Sequence, residues 1–299
     1  MCTDPEALSP RRETLSVDLQ GDVEASLRCH PGLVRMENQD RVAFHSVPHG
    51  DLYLVADGVG GAGAGGEAAE IAVQEYPRFL ASVPRSMETS TALALATDSV
   101  SDALEAKQRT SEAREKRLAS TIALVVVQEN IAHVGHIGDS RVYLHRCGVL
   151  SLLTRDHSVV RRMVDHGILS AQDALSHPQA HVLTQSLGQP SAVLELSTHP
   201  LLAGDCLLLC SDGLWAYLAE SRIEVILSEP NASAAQAADR LLEGALTGGG
   251  GDNVGLAVLK IGTGDAGVLA RKSYRQRHLL IGVFVILSLV AAVLIYFFS

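Results

Sequence analysis

The chain has 299 residues, 47% of them hydrophobic, which is enough to bury one large core. Its 24 basic and 34 acidic side chains leave a formal charge of −10; residues 271–278 hold four bases (Arg271, Lys272, Arg275, Arg277) and no acid, so the remainder stands at −14 and repels nucleic acid phosphates. Five cysteines (Cys2, Cys29, Cys147, Cys206, Cys210), odd in number and scattered, speak against a disulfide framework and for reduced thiols in a cytosolic domain.

In chain order, residues 1–20 are polar and read as a disordered N-terminus, with no signal peptide. Runs rich in Val, Ile and Leu predict strands near 23–29, 41–47, 51–56, 120–127, 131–137, 141–146, 193–198, 205–210 and 254–260. Helices are predicted over 66–82 and 89–115, where Leu93, Ala96, Val100, Ala103 and Leu104 share one face, and then over 158–167, 221–228 and 232–245. Strands at both ends of the chain with paired helices between them argue for an α+β domain over 21–262, sheets inside and helices outside. A polar, basic linker, 263–278, follows. The last stretch, 279–298, holds 20 uncharged apolar residues, and at ~1.5 Å per residue it spans the ~30 Å core of a bilayer. It reads as a transmembrane helix. The basic run before it is expected to stay cytoplasmic, which makes the protein tail-anchored with its bulk in the cytoplasm.

Five aspartates sit at the edges of predicted strands: Asp40 closes "LVRMENQD", Asp57 and Gly58 follow the run "DLYLVA", Asp139 lies in "GHIGDSRVYL", Asp212 ends "DCLLLCSD", and Asp252 opens the last strand in "GGGGDNVGL". An Asp-Gly pair alone is first of all a turn signal. As a set, oxygen donors arriving from separate strand ends without His or Cys partners suit hard cations such as Mg²⁺ or Mn²⁺. No closely spaced acids resemble an EF-hand loop.

The ordered motifs "VRMENQD", "ADGVGG", "GDSR", "TRDHS", "HPQAHVLTQSLG", "SDGLW" and "GDN", over about residues 22–261, resemble the metal-dependent serine/threonine protein phosphatases of the 2C type, the PPM family. The resemblance implies a four-layer αββα sandwich: two antiparallel sheets flanked by helices. It also implies two bound Mn²⁺ or Mg²⁺ ions, with Asp57 bridging them, the Gly58 carbonyl on one, Asp212 and Asp252 completing the other, and Asp40 holding metal-bound water. Asp139 and Asp212 match the family's ligands for a third ion, and Arg35 matches its phosphate-gripping arginine. The implied chemistry is in-line attack by a water acidified between the two ions. The implied partners are phosphoprotein substrates and a Ser/Thr kinase counterpart. Residues 155–188 match a flap beside the site.

Gln39 stands where some members carry an acid, which predicts a weaker metal site. Val59 stands where some carry a proton-donating histidine, so the leaving-group proton is expected from water; Gly255, where Thr is common, has no reading from sequence. The short loop without that histidine and the NQD form point to a bacterial member, hence to a bacterial inner membrane. Two rival functions are a pseudophosphatase that binds phosphoproteins without turnover, and a phosphatase dedicated to an anti-sigma antagonist. His177 and His181 have zinc-like spacing but Pro178 between them and no further ligand nearby, and His133 and His136 read as packing residues. "GAGAGGE" lacks the lysine of a P-loop, and Trp215 is expected to pack behind the Asp212 loop.

Overall fold

The computed structural model describes residues 13–18, 23–60, 64–110, 117–174, 177–190 and 192–262. Each apolar run predicted as a strand forms one. The elements are β1 (Glu13–Asp18), β2 (Val23–His30), β3 (Asp40–Val47), β4 (Gly50–Val59), α1 (Ala64–Ser82), α2 (Thr89–Thr110), β5 (Ala119–Ser120), β6 (Ile122–Gln128), β7 (Ile131–Ile137) and β8 (Arg141–Arg146). There follow β9 (Val149–Leu152), α3 (Val159–Asp165), α4 (Ala171–Ala174), β10 (Glu195–Pro200), β11 (Cys206–Cys210), α5 (Asp212–Trp215), α6 (Glu220–Leu227), α7 (Ala234–Thr247) and β12 (Val254–Ile261).

Two antiparallel sheets result, one ordered β1-β2-β12-β11-β8-β9 and the other β10-β7-β6-β4-β3. Side chains alternate between the faces of a strand, so a strand buried on both sides must be apolar throughout. Along β4, Tyr53 and Val55 join the core between the sheets, while Leu52, Leu54 and Ala56 pack under α1 and α2. On the far side, Leu208, Cys210, Leu256 and Val258 meet α6 and α7. Three apolar layers thus separate four layers of structure, which is the αββα sandwich.

The N-terminus departs from expectation. Glu13–Asp18, assigned to the disordered stretch, forms β1 and pairs with β2 from Glu13↔Cys29 to Asp18↔Glu24. The alternation of Leu15 and Val17 with polar residues is the strand signal, short enough to be lost within a polar tail. Residues 279–298, read as a membrane helix, lie outside the described residues, as does the whole linker, 263–278. Among the described residues no helix is long and apolar enough to cross a membrane.

Candidate active site

The five aspartates come from both sheets to one end of the sandwich. Asp40 opens β3 directly across from Asp57 near the end of β4, so register alone sets these two carboxylates side by side. Asp139 lies in the turn before β8, Asp212 at the first position of α5, and Asp252 just before β12. Asp57 and Asp139 are held through their backbones. The Thr121 amide donates to the Asp57 carbonyl (2.8 Å), and the Asp57 amide donates to Thr121 Oγ1 (3.1 Å). Trp215 Nε1–H donates to the Asp139 carbonyl (3.0 Å), and the Arg141 guanidinium stacks 3.8 Å from the Trp215 ring. Asn253 fastens the loop that carries Arg35, its Nδ2 donating to the carbonyls of Pro31 and Glu37 (2.8 Å each) and its Oδ1 accepting from the Gln39 amide (2.8 Å). Arg35 Nη2 donates to Asp252 Oδ2 at 2.7 Å.

The electrostatics are those of a cation site. Burial outweighs the Ser211 hydrogen bond and, with the neighbouring Asp212 and Asp252 charges, pushes the Asp40 carboxyl up to about 7. Asp57 is raised well above the ordinary carboxylate range by burial and then by Asp40, Asp212, Asp139 and Asp252. Asp139 is likewise raised by burial and by Asp212. Asp40 Oδ2 accepts from Ser211 Oγ at 2.6 Å, but Asp40 Oδ1 is buried without a partner. Carboxylates desolvated together, one with an orphaned oxygen, are costly unless positive charge joins them. This all-oxygen donor set fits Mg²⁺ or Mn²⁺.

Backbone proximity matters at Gly58. A Cβ there would stand 2.1 Å from the Gly65 carbonyl carbon at the start of α1, so only glycine permits this approach. With its amide oriented to satisfy both neighbours, Gln39 donates to the carbonyls of Gly58 (3.1 Å) and Gly60 (3.2 Å), which leaves the Gly58 oxygen one lone pair for another partner. Gly255 also acquires an account: a Cβ there would stand 3.1 Å from Asp40 Oδ2, so its absence leaves room for that carboxylate.

Of the histidines, His181 brings Nδ1 to 3.6 Å from Asp212 Oδ2, and that contact raises its pKa, whereas His177 only accepts from the Gln179 amide. His136, His157 and Glu195 bring ligand atoms within 4.8 Å of one another. Hydrogen bonds argue against a metal there. The Gly138 amide donates to His157 Nδ1 (3.2 Å), so His157 Nε2 carries the proton toward Glu195 Oε2 (3.2 Å); His136 Nε2–H donates to the Arg155 carbonyl (2.8 Å). One lone pair, His136 Nδ1, is left, and a metal-bound His157 would have to surrender its Gly138 bond. The trio instead braces the turn before Asp139, because the His157 amide also donates to the Gly138 carbonyl (2.8 Å). Sequence reasoning missed Ser211, Asn253 and His157, although each lies inside a motif it had singled out.

Residues 34–242 match the family model for protein phosphatase 2C. The serine/threonine protein phosphatase PstP of Mycobacterium tuberculosis is 33% identical over 240 residues, 80% of this chain, and this chain spans 45% of the length of that relative. Protein phosphatase PhpP of Streptococcus pneumoniae is 32% identical over 251 residues, 82% of this chain and 100% of its own. Among solved structures, the catalytic domain of PstP in complex with two manganese ions superposes with a TM-score of 0.71 at 30% identity, covering 80% of this chain and 98% of that one. The chain belongs to the protein phosphatase 2C family.

Proposed function

We propose that this chain is a serine/threonine phosphoprotein phosphatase that uses Mn²⁺ or Mg²⁺ and is held at the cytoplasmic face of a membrane by residues 279–298. The observation that carries the catalytic part is the buried set of like charges around Asp57, with a guanidinium at its edge. Divalent ions, when bound, supply a water nucleophile at neutral pH and offset the charge on the phosphoryl oxygens. The chain's own residues position the reaction. Asp57, the Gly58 carbonyl, Asp212 and Asp252 would hold two ions, and Asp139 with Asp212 would hold a third. Asp40, with Oδ2 bonded to Ser211 and Oδ1 left without a partner, is suited to accept a hydrogen bond from the attacking water. Arg35, fixed in place by its bond to Asp252, would orient the phosphate with its remaining donors. A Ser/Thr kinase supplies the phosphorylated substrates in this reading. The decisive assay is hydrolysis of p-nitrophenyl phosphate and of a phosphothreonine peptide with Mn²⁺ and with EDTA. Turnover is expected only with metal; equal rates in EDTA exclude the mechanism.

Two further outcomes are expected. His157→Ala removes the acceptor of the Gly138 amide and loosens the turn bearing Asp139. The Mn²⁺ concentration for half-maximal rate should rise several-fold, while KM for p-nitrophenyl phosphate at saturating Mn²⁺ stays within twofold. An unchanged Mn²⁺ requirement would show that the brace does not reach the metal site. The anchor is tested by carbonate extraction: the full chain should stay with membranes, and a chain ending at Arg271 should be soluble. Identical behaviour of the two rules the anchor out.

A further inference from the structure

Beside Arg35 lies a groove of about 570 Å³, lined by Leu33, Leu242 and Leu246 with Asp239, Glu243 and Thr247 at its rim. We propose that it is a substrate subsite, taking an apolar side chain of the phosphoprotein with a Lys or Arg next to it, two to four residues from the phosphorylated residue. The inference rests on the catalytic reading above and names the kind of sequence that site accepts.

Three observations carry it. The first is exposure without looseness: Leu33 is 65% exposed, Val34 68% and Met36 97%, all in one short loop. That loop is fastened by the Leu33 amide to the Gly250 carbonyl (2.7 Å) and by Asn253 to Pro31 and Glu37. Apolar side chains held out to solvent in a secured loop mark a contact surface rather than a fold requirement. The second is reach. Leu33 is two residues from Arg35, so their Cα atoms are at most ~7 Å apart. An extended peptide advances about 3.3 Å per residue, so a chain whose phosphate meets Arg35 passes the groove within two to four positions. The third is charge. Glu243 is exposed, and Asp239, bonded to Arg28 at 2.9 Å, keeps 62% of its side chain exposed. An acidic rim around an apolar floor favours a cation beside a hydrophobe and repels acidic flanks.

The test uses the full chain in detergent and fluorescent phosphothreonine peptides in three forms: Leu-Arg, Ala-Ala or Leu-Glu at the flanking positions. Binding is read by anisotropy in the presence of Ca²⁺ in place of Mn²⁺, and hydrolysis by phosphate release with Mn²⁺. The Leu-Arg peptide should lead Ala-Ala about tenfold in both Kd and kcat/KM, the usual scale for one side chain in an apolar pocket. Leu33→Ser should erase the Leu preference, and Glu243→Lys should invert the order of Leu-Arg and Leu-Glu. Hydrolysis of p-nitrophenyl phosphate, which has no flanking residues, should stay within twofold in Glu243→Lys. Equal affinity for all three peptides, or a preference that survives both substitutions, overturns the subsite. So does a groove occupied by a second copy, seen as dimerisation that Leu33→Ser abolishes. If p-nitrophenyl phosphate is not turned over, the catalytic reading fails on its own, and the order of the Kd values still decides the groove.

Discussion

Replacing Asp57 by asparagine is expected to abolish turnover and, at the same time, to stabilise the metal-free protein. The side chain stands where burial and four other carboxylates all disfavour its charge. An unfolded chain has no such crowding, and its aspartates titrate near 3.9. Asp40 and Asp57 are both raised in the fold, so between about pH 4 and about 7 the folded metal-free chain binds more protons than the unfolded one. Stability therefore falls as pH rises through that window; Asp40's share of the loss is complete above about 7, and Asp57 carries the fall on through its own raised titration. Mn²⁺ should flatten this dependence by supplying opposite charge, and by mass action it should raise the Tm further. Asp57→Asn keeps the shape and removes one of the repelling charges. At pH 8 in EDTA its Tm should exceed the parent's by roughly 3–8 °C, on the scale of 2–4 °C per kcal/mol for a domain of this size. With Mn²⁺ its rate should drop by at least ~10³-fold, since charge stabilisation by bound ions contributes several kcal/mol to the barrier. Calorimetry at pH 5 and pH 8 with and without metal, beside phosphate release, reads both effects. A variant that is no more stable than the parent in EDTA at pH 8, or that retains a tenth of its rate, removes the reason for treating Asp57 as the centre of the site.

The same trade explains which parts of the molecule could be read from sequence. Strands buried on both faces must be apolar along their length, so β4, β6, β11 and β12 announce themselves, and the acids at their ends stand out against that background. Convergence of those acids is a topological fact, reachable from sequence only through the order of the motifs. What supports them was not legible, because it depends on contacts across large separations. Ser211 reaches Asp40 over 171 positions, and Asn253 reaches Pro31 over 222. Nothing in "DHS" says that His157 grips Gly138 from both sides, and Trp215, expected behind the Asp212 loop, also ties down the Asp139 carbonyl. From sequence Gln39 is legible only as a missing charge; its amide also engages the carbonyls of Gly58 and Gly60. Gly255 made sense only once the Asp40 carboxylate was seen against it.

Arg35→Lys is expected to cost about 10²-fold in kcat/KM, expressed in KM far more than in kcat. The guanidinium is exposed at 58%, and one of its donors is engaged by Asp252. That bond fixes the group beside the carboxylate cluster and leaves the rest of the planar fork for a phosphate, whose tetrahedral oxygens it can meet in pairs. A lysine keeps the charge but cannot bond to Asp252 and span two phosphate oxygens in the same geometry. The phosphoryl group carries its negative oxygens both in the bound substrate and in the transition state, so a contact to them stabilises both, and its loss appears mainly as weaker binding. Inorganic phosphate, which offers the same oxygens, should inhibit the variant correspondingly less well, and the Mn²⁺ requirement should stay close to the parent's because the carboxylates are untouched. Michaelis profiles with p-nitrophenyl phosphate and the phosphothreonine peptide, with phosphate inhibition and a Mn²⁺ titration alongside, separate these effects. A kcat/KM within threefold of the parent would mean that the phosphate is held elsewhere. A large fall in kcat at unchanged KM would instead give Arg35 a role confined to the transition state.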